Sequence, residues 1–222
     1  MFRKVVDGEA EVVVVVHVDD ILTHAKDKAT MDIFPAELRQ NFKLKDMGDV
    51  RCYMGCHITR TRKGRELKID QQHLYLESMV EMFDVKKGSK IPATSGMSTI
   101  SKVDEPRNPE DKEKIRKFPY REAVGALMWT ATMTRPDIAS AGRAVTRFCE
   151  NPGPAHEKTT MKIIQYLLHT KDWGIKYGGQ GCELCMEAYT DSDFGACLDT
   201  RRSVSGAVFV LAKGAIIWYS RV

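Results

Sequence analysis

The chain has 222 residues, 43% of them apolar, with 34 Lys and Arg against 30 Asp and Glu, for a net charge of +4. That length holds one large domain or two small ones with a real core, and the composition is that of an ordinary globular protein. The slight basic excess permits a nucleic-acid partner without demanding one, while six scattered cysteines are too sparse for a disulfide scaffold and read as reduced thiols.

No secretory leader is expected, because Met1-Phe2-Arg3-Lys4 runs into acidic residues. The expected location is intracellular, cytoplasmic or nuclear. Val12 to Val16 is too short to span a membrane, so no membrane partner is expected. Instead this β-branched run predicts a buried strand. His17-Val18-Asp19-Asp20 and apolar Ile21-Leu22 follow it, which predicts a hairpin with both carboxylates near its tip.

Helical spacing of Met31, Phe34, Leu38 and Phe42 predicts a helix over 28–42, with Pro35 in its first turn or at a kink. Residues 50–59 and 66–69 read as two strands joined by the basic turn Arg60-Thr61-Arg62-Lys63-Gly64-Arg65. Residues 74–83 return to helical spacing. Residues 88–117, with Pro92, Pro106 and Pro109 and little apolar content, read as a linker. Helices are predicted over 120–134, after Arg135-Pro136-Asp137, and over the stretch bearing Met161, Ile164, Leu167 and Leu168. From Trp173 onward, 174–177, 184–189, 204–211 and 215–220 read as short strands.

Asp19-Asp20 is the sharpest chemical signal. Adjacent carboxylates at a hairpin tip repel unless a cation neutralises them, and magnesium prefers such oxygens. On the dipeptide alone a solvated turn is the commoner account. Tyr189-Thr190-Asp191-Ser192-Asp193 places a second acidic site at a strand end, again with turn acids as the commoner account. Cys182-x-x-Cys185 lacks the four ligands that a zinc site needs. The six histidines accompany no nucleophile, and no glycine-rich phosphate loop is present.

Taken in order, these pieces resemble the reverse transcriptases of copia-type retrotransposons. Val13 to Leu22 is similar to the family's polymerase metal motif, with His17 where the family usually has Tyr. Phe42 to Asp49 and Tyr53 to Ile58 resemble the approach to its primer-grip hairpin, and Ile69 to Leu76 the start of its thumb. Tyr120 to Trp129, Thr134 to Ala139, Tyr189 to Asp193, Arg201 to Gly206 and Ile217 to Ser220 carry the likeness through the opening of its ribonuclease H.

The resemblance implies an α+β fold. Residues 1–70 would be the C-terminal part of a palm with the primer-grip-like hairpin, 71–170 a helical thumb and connection, and 171–222 the first strands of a truncated ribonuclease H-like sheet. Asp19 and Asp20 would be polymerase metal ligands and Asp191 the first ribonuclease H ligand, with magnesium or manganese as cofactor. Met54 and Gly55 would lie near the primer, and Arg60, Arg62, Lys63 and Arg65 would contact nucleic acid. The implied partners are an RNA/DNA template-primer duplex and deoxynucleotide triphosphates. A third polymerase Asp, the fingers and the later ribonuclease H acids of the family have no counterpart here, so the chain is expected to be inactive alone. The alternatives are a non-catalytic template-primer binding module and an inert relic.

Overall fold

A computed structural model describes residues 1–6, 9–71, 75–85, 91, 93–94 and 99–221. The expected thumb residues Gln72, His73 and Leu74, and the linker residues 88–90, 92 and 95–98, lie outside them. The fold mixes helix and sheet, as the α+β expectation has it, and divides into two compact units, Met1–Val50 and Arg51–Val222. The division falls inside the stretch 1–70 expected as palm. Among the described residues no helix is long and apolar enough to cross a membrane.

The first unit is an antiparallel meander of β1 (Phe2–Val6), β2 (Glu9–His17) and β3 (Asp20–Ala25), followed by α1 (Lys28–Arg39). Asp27 caps α1, its carboxylate accepting from the Thr30 N–H at 2.8 Å. Pro35 sits inside α1, well past its first turn. The valine strand forms, but it is not buried. Among the described side chains Val12 is sealed at 1% exposure, Val13 to Val15 are half-buried, and Val16 is 44% exposed. Three strands and one helix with no buried residue leave most of the apolar strand uncovered.

The second unit holds the core. Its first sheet runs β4 (Cys52–Tyr53), β5 (Cys56–Thr61), β6 (Glu66–Asp70) and β7 (Ile175–Gly178), all antiparallel. The stretch expected as one strand over 50–59 is in fact a hairpin. Met54 and Gly55 both take positive φ, the sign pattern of a two-residue type I′ turn. Strand β7, expected to open the C-terminal sheet, pairs instead with β6, Ile69 opposite Ile175.

Among the described residues five α-helices follow the first three of these strands: α2 (Leu76–Met82), α3 (Pro109–Arg116), α4 (Tyr120–Met133), α5 (Ala139–Thr146) and α6 (Pro154–His169). Part of the expected linker is helical. Asn108 caps α3, accepting from the Asp111 N–H, and Pro109 fills the first turn, where its missing N–H costs nothing. Leu127, Ile138, Val145, Ile163, Ile164 and Leu167 are the sealed centre of the bundle. A second sheet, β8 (Met186–Ser192), β9 (Ser205–Leu211) and β10 (Gly214–Arg221), is ordered β10-β9-β8. Its β10 is tied to α4 by the Trp218 indole N–H donating to the Ala131 carbonyl at 2.7 Å.

Candidate active site

In the first unit, β2 ends at His17 and β3 begins at Asp20, its cross-strand partner. Val18 and Asp19 are the two turn residues. Val18 carries φ +54 and Asp19 does not share the positive sign, the sign pattern of a type II′ hairpin turn, in which the first central residue is normally Gly. A β-branched residue there is strained. The strained turn holds Asp19 and Asp20 side by side, both exposed. Two adjacent carboxylates suit the oxygen preference of a hard divalent cation. Among the described residues no group of three or more His, Cys, Asp or Glu side chains gathers to hold a metal, and the pair alone is smaller than such a group.

In the second unit, Met54 and Gly55 form the turn at one end of β5, and Arg62, Lys63, Gly64 and Arg65 the turn at the other. Over the six residues of β5, the two turns lie roughly 17–20 Å apart. Arg60, Arg62, Lys63 and Arg65 are exposed around the basic turn. Arg65 takes φ +52, and its carbonyl accepts from the Gly179 N–H at 3.0 Å. Gly178 is required here: it has φ +83, and a Cβ would stand 2.2 Å from the Arg65 carbonyl oxygen. The basic turn is therefore pinned from behind.

Asp191 is exposed on β8, opposite Gly206 of β9. Its neighbours are structural. Asp193 accepts from the Ala196 and Val204 N–H groups at 3.0 Å. Asp199 accepts from the Lys102 N–H and from Arg147. Cys182 and Cys185 lie in the loop before β8, each bonded to a neighbouring carbonyl.

Sequence reasoning assigned no packing role to a tightly held polar group in the second unit. Arg135, 2% exposed, donates from Nε and Nη2 to the Asp137 carboxylate at 2.9 and 2.7 Å. It also donates to the Thr170 carbonyl at 3.1 Å and to the Thr170 hydroxyl at 2.6 Å. The Tyr166 hydroxyl donates to the same carboxylate at 2.7 Å. Burial raises the Asp137 pKa, but the Arg135 bonds and charge and the Tyr166 hydroxyl outweigh it and hold the carboxyl below its usual value. The signal was the Arg-Pro-Asp spacing, read as a helix start and as part of the family likeness but not as an ion pair. On β5, burial, then Cys52 and Asp70, pushes the Cys56 thiol up to about 11, which marks it as unreactive.

The family described as Reverse transcriptase (RNA-dependent DNA polymerase) matches residues 1–94. A retrovirus-related Pol polyprotein from transposon TNT 1-94 of Nicotiana tabacum is 34% identical over 95% of this chain and 16% of its own length. A putative transposon Ty5-1 protein of Saccharomyces cerevisiae is 27% identical over 99% of the chain and 68% of its own length. The Pol polyprotein of transposon RE1 from Arabidopsis thaliana is 28% identical over 96% of the chain and 14% of its own length. No solved structure matches. The chain thus spans about a sixth of the tobacco polyprotein, and the likeness runs through both units rather than one. It belongs to the copia-type retrotransposon reverse transcriptases, as a reverse transcriptase-like stretch of a Pol polyprotein.

Proposed function

We propose that this stretch supplies the C-terminal part of the palm, the thumb and connection, and the first ribonuclease H strands of an intracellular RNA-directed DNA polymerase. The observation that carries this reading is the hairpin tip with Asp19 and Asp20 side by side, inside the residues that match the reverse transcriptase family. Bound there, magnesium or manganese would activate the primer hydroxyl and stabilise the leaving phosphate. Asp19 and Asp20 hold two of the required oxygens. Met54 and Gly55 lie against the primer strand, and Arg60, Arg62, Lys63 and Arg65 meet template-primer phosphates, which fixes position without reading sequence. Asp191 is the first ribonuclease H carboxylate. Two aspartates fall short of a two-metal ligand set, so the stretch by itself is inactive.

The test uses a polyprotein-length enzyme carrying these residues. Asp19→Asn or Asp20→Asn should abolish template-directed synthesis and leave duplex binding within about twofold, because the metals act on the reacting phosphate. Near-full synthesis by Asp19→Asn would place the active site elsewhere. The 222-residue chain should bind an RNA–DNA duplex in a salt-sensitive way without incorporating nucleotide. Binding without synthesis by the polyprotein-length enzyme as well would support a binding module, and neither activity from either preparation an inert relic.

A further inference from the structure

Trp173 stands out in the second unit because its ring is exposed while its backbone is held on both sides. It is 56% exposed, although a side chain of this size is highly buried on average. The backbone on either side of it is anchored, and its ring packs beside Tyr166 and Arg135. Its backbone N–H donates to the Thr170 carbonyl at 2.9 Å. The Lys68 ammonium donates to the Asp172 carbonyl, the peptide joined to it, at 2.6 Å. The next residue is held against β6: a Cβ on Gly174 would stand 2.4 Å from the Ile69 carbonyl oxygen and 2.7 Å from the Asp70 Cβ. The indole meets Tyr166 edge-on, centroids 6.4 Å apart. The buried Arg135 guanidinium lies over both rings, 5.5 Å from the Tyr166 centroid and 5.9 Å from that of Trp173.

The surroundings carry cations. Lys68 and Lys176 are cross-strand partners on β6 and β7, and Lys171 precedes Trp173 by two residues. Lys68 is paired with Asp70 at 2.9 Å and Lys176 with Glu66 at 2.8 Å, so phosphate contacts here exchange one pairing for another and add little net attraction. An exposed ring on a held backbone, backed by a cation and with modest charge around it, suits a partner held mainly by stacking.

We propose that Trp173 is a stacking platform for an unpaired nucleobase, with Lys68, Lys171 and Lys176 steering the flanking phosphates of a single strand. This rests on the nucleic-acid reading above and adds to it a single-stranded site apart from the basic turn. Stacking on an aromatic ring tolerates any base, so the site takes a template or primer strand where it leaves the duplex.

The test is anisotropy of labelled dT12 with the intact chain, beside an RNA–DNA duplex. Trp173→Ala and Trp173→Leu should weaken dT12 binding about 5- to 100-fold, the loss of one stacked base. Trp173→Phe, which keeps a π-face, should retain most of the affinity, and Trp129→Phe should change nothing. The salt slope of dT12 binding should be shallow, about −1 to −2 in log–log form for two or three phosphates. Affinity of Trp173→Leu within twofold of the parent overturns the proposal, and so does an equal loss in Phe and Leu, which would mean lost packing rather than lost stacking. If duplex still binds in those cases, the nucleic-acid reading survives and only the stacking site falls; if neither ligand binds, both fall.

Discussion

Single residues decide the local energetics of both units. Val18 pays nothing back in packing for its strained φ, being 86% exposed. Such a conformation costs on the order of 1–3 kcal/mol. Val18→Gly relieves that strain and loses roughly 0.5–1 kcal/mol to backbone entropy. We expect a net gain of about 1 kcal/mol, read as a higher urea midpoint for the first unit. A lower midpoint would mean the turn is not strained. His156, fully buried in α6, is held neutral: its Nδ1 accepts from the Gly153 N–H at 2.9 Å, and its Nε2 donates to the Ser101 carbonyl at 3.0 Å. It stacks on Phe148 at 3.9 Å. Burial lowers its pKa from 6.5, and the Ser101 carbonyl, Asp104, Glu105 and Asp199 only partly offset this. With the folded pKa below the unfolded one, the unfolded chain binds the extra proton. The contribution is complete above about pH 6.5 and is lost as pH falls below it. Unfolding at pH 7.5 and 5.5 should show that loss, and His156→Gln should flatten it.

At the scale of elements, Arg135 closes the end of α6. Its guanidinium meets the Thr170 carbonyl just past the last helical residue, where the helix dipole is negative and carbonyls lack partners. The same side chain anchors Asp137 in the turn before α5 and backs Trp173, so three segments share one cation. Removing it leaves a carboxylate and a helix end without their partner. Arg135→Ala should cost roughly 3–5 kcal/mol in urea unfolding. Arg135→Lys should recover little, because a point charge cannot make the forked contact. A loss under 1 kcal/mol for Arg135→Ala would show that the bundle, not this network, holds the turn.

At the scale of the molecule, burial is concentrated in the helices. The centre of the second unit is sealed, whereas the first unit has Val12 as its sealed apolar side chain among those described. In the second sheet, β8 is an edge strand exposed along its whole length, while β10 is tied to α4 through Trp218 and to the first sheet through the Tyr177 hydroxyl at 2.7 Å from the Ala215 carbonyl. Amide exchange tracks such local stability. We expect slow exchange over Tyr120–Met133 and Pro154–His169, intermediate rates in β9 and β10, and fast exchange in β1 to β3 and β8. Protection of β8 equal to that of α4 would contradict this.

Read alone, the residues determined the periodic helices α4 and α6, the hairpin at Asp19-Asp20 and the family, because 3.6-residue spacing, turn chemistry and motif order are local properties of the chain. The order of strands in space was not local. Strand β7 lies about a hundred positions from β6, and only the folded bundle brings Ile175 against Ile69. Turn conformations inside 50–59, the cap that makes 109–116 helical, and the partial cover of the valine strand likewise depended on what packs nearby. So did the network around Arg135: a sequence shows Arg-Pro-Asp, but the Thr170 carbonyl that completes it arrives 35 residues later through tertiary contact. Chemistry at neighbouring positions is written in the chain, whereas burial and long-range pairing are decided by which surfaces exclude water together.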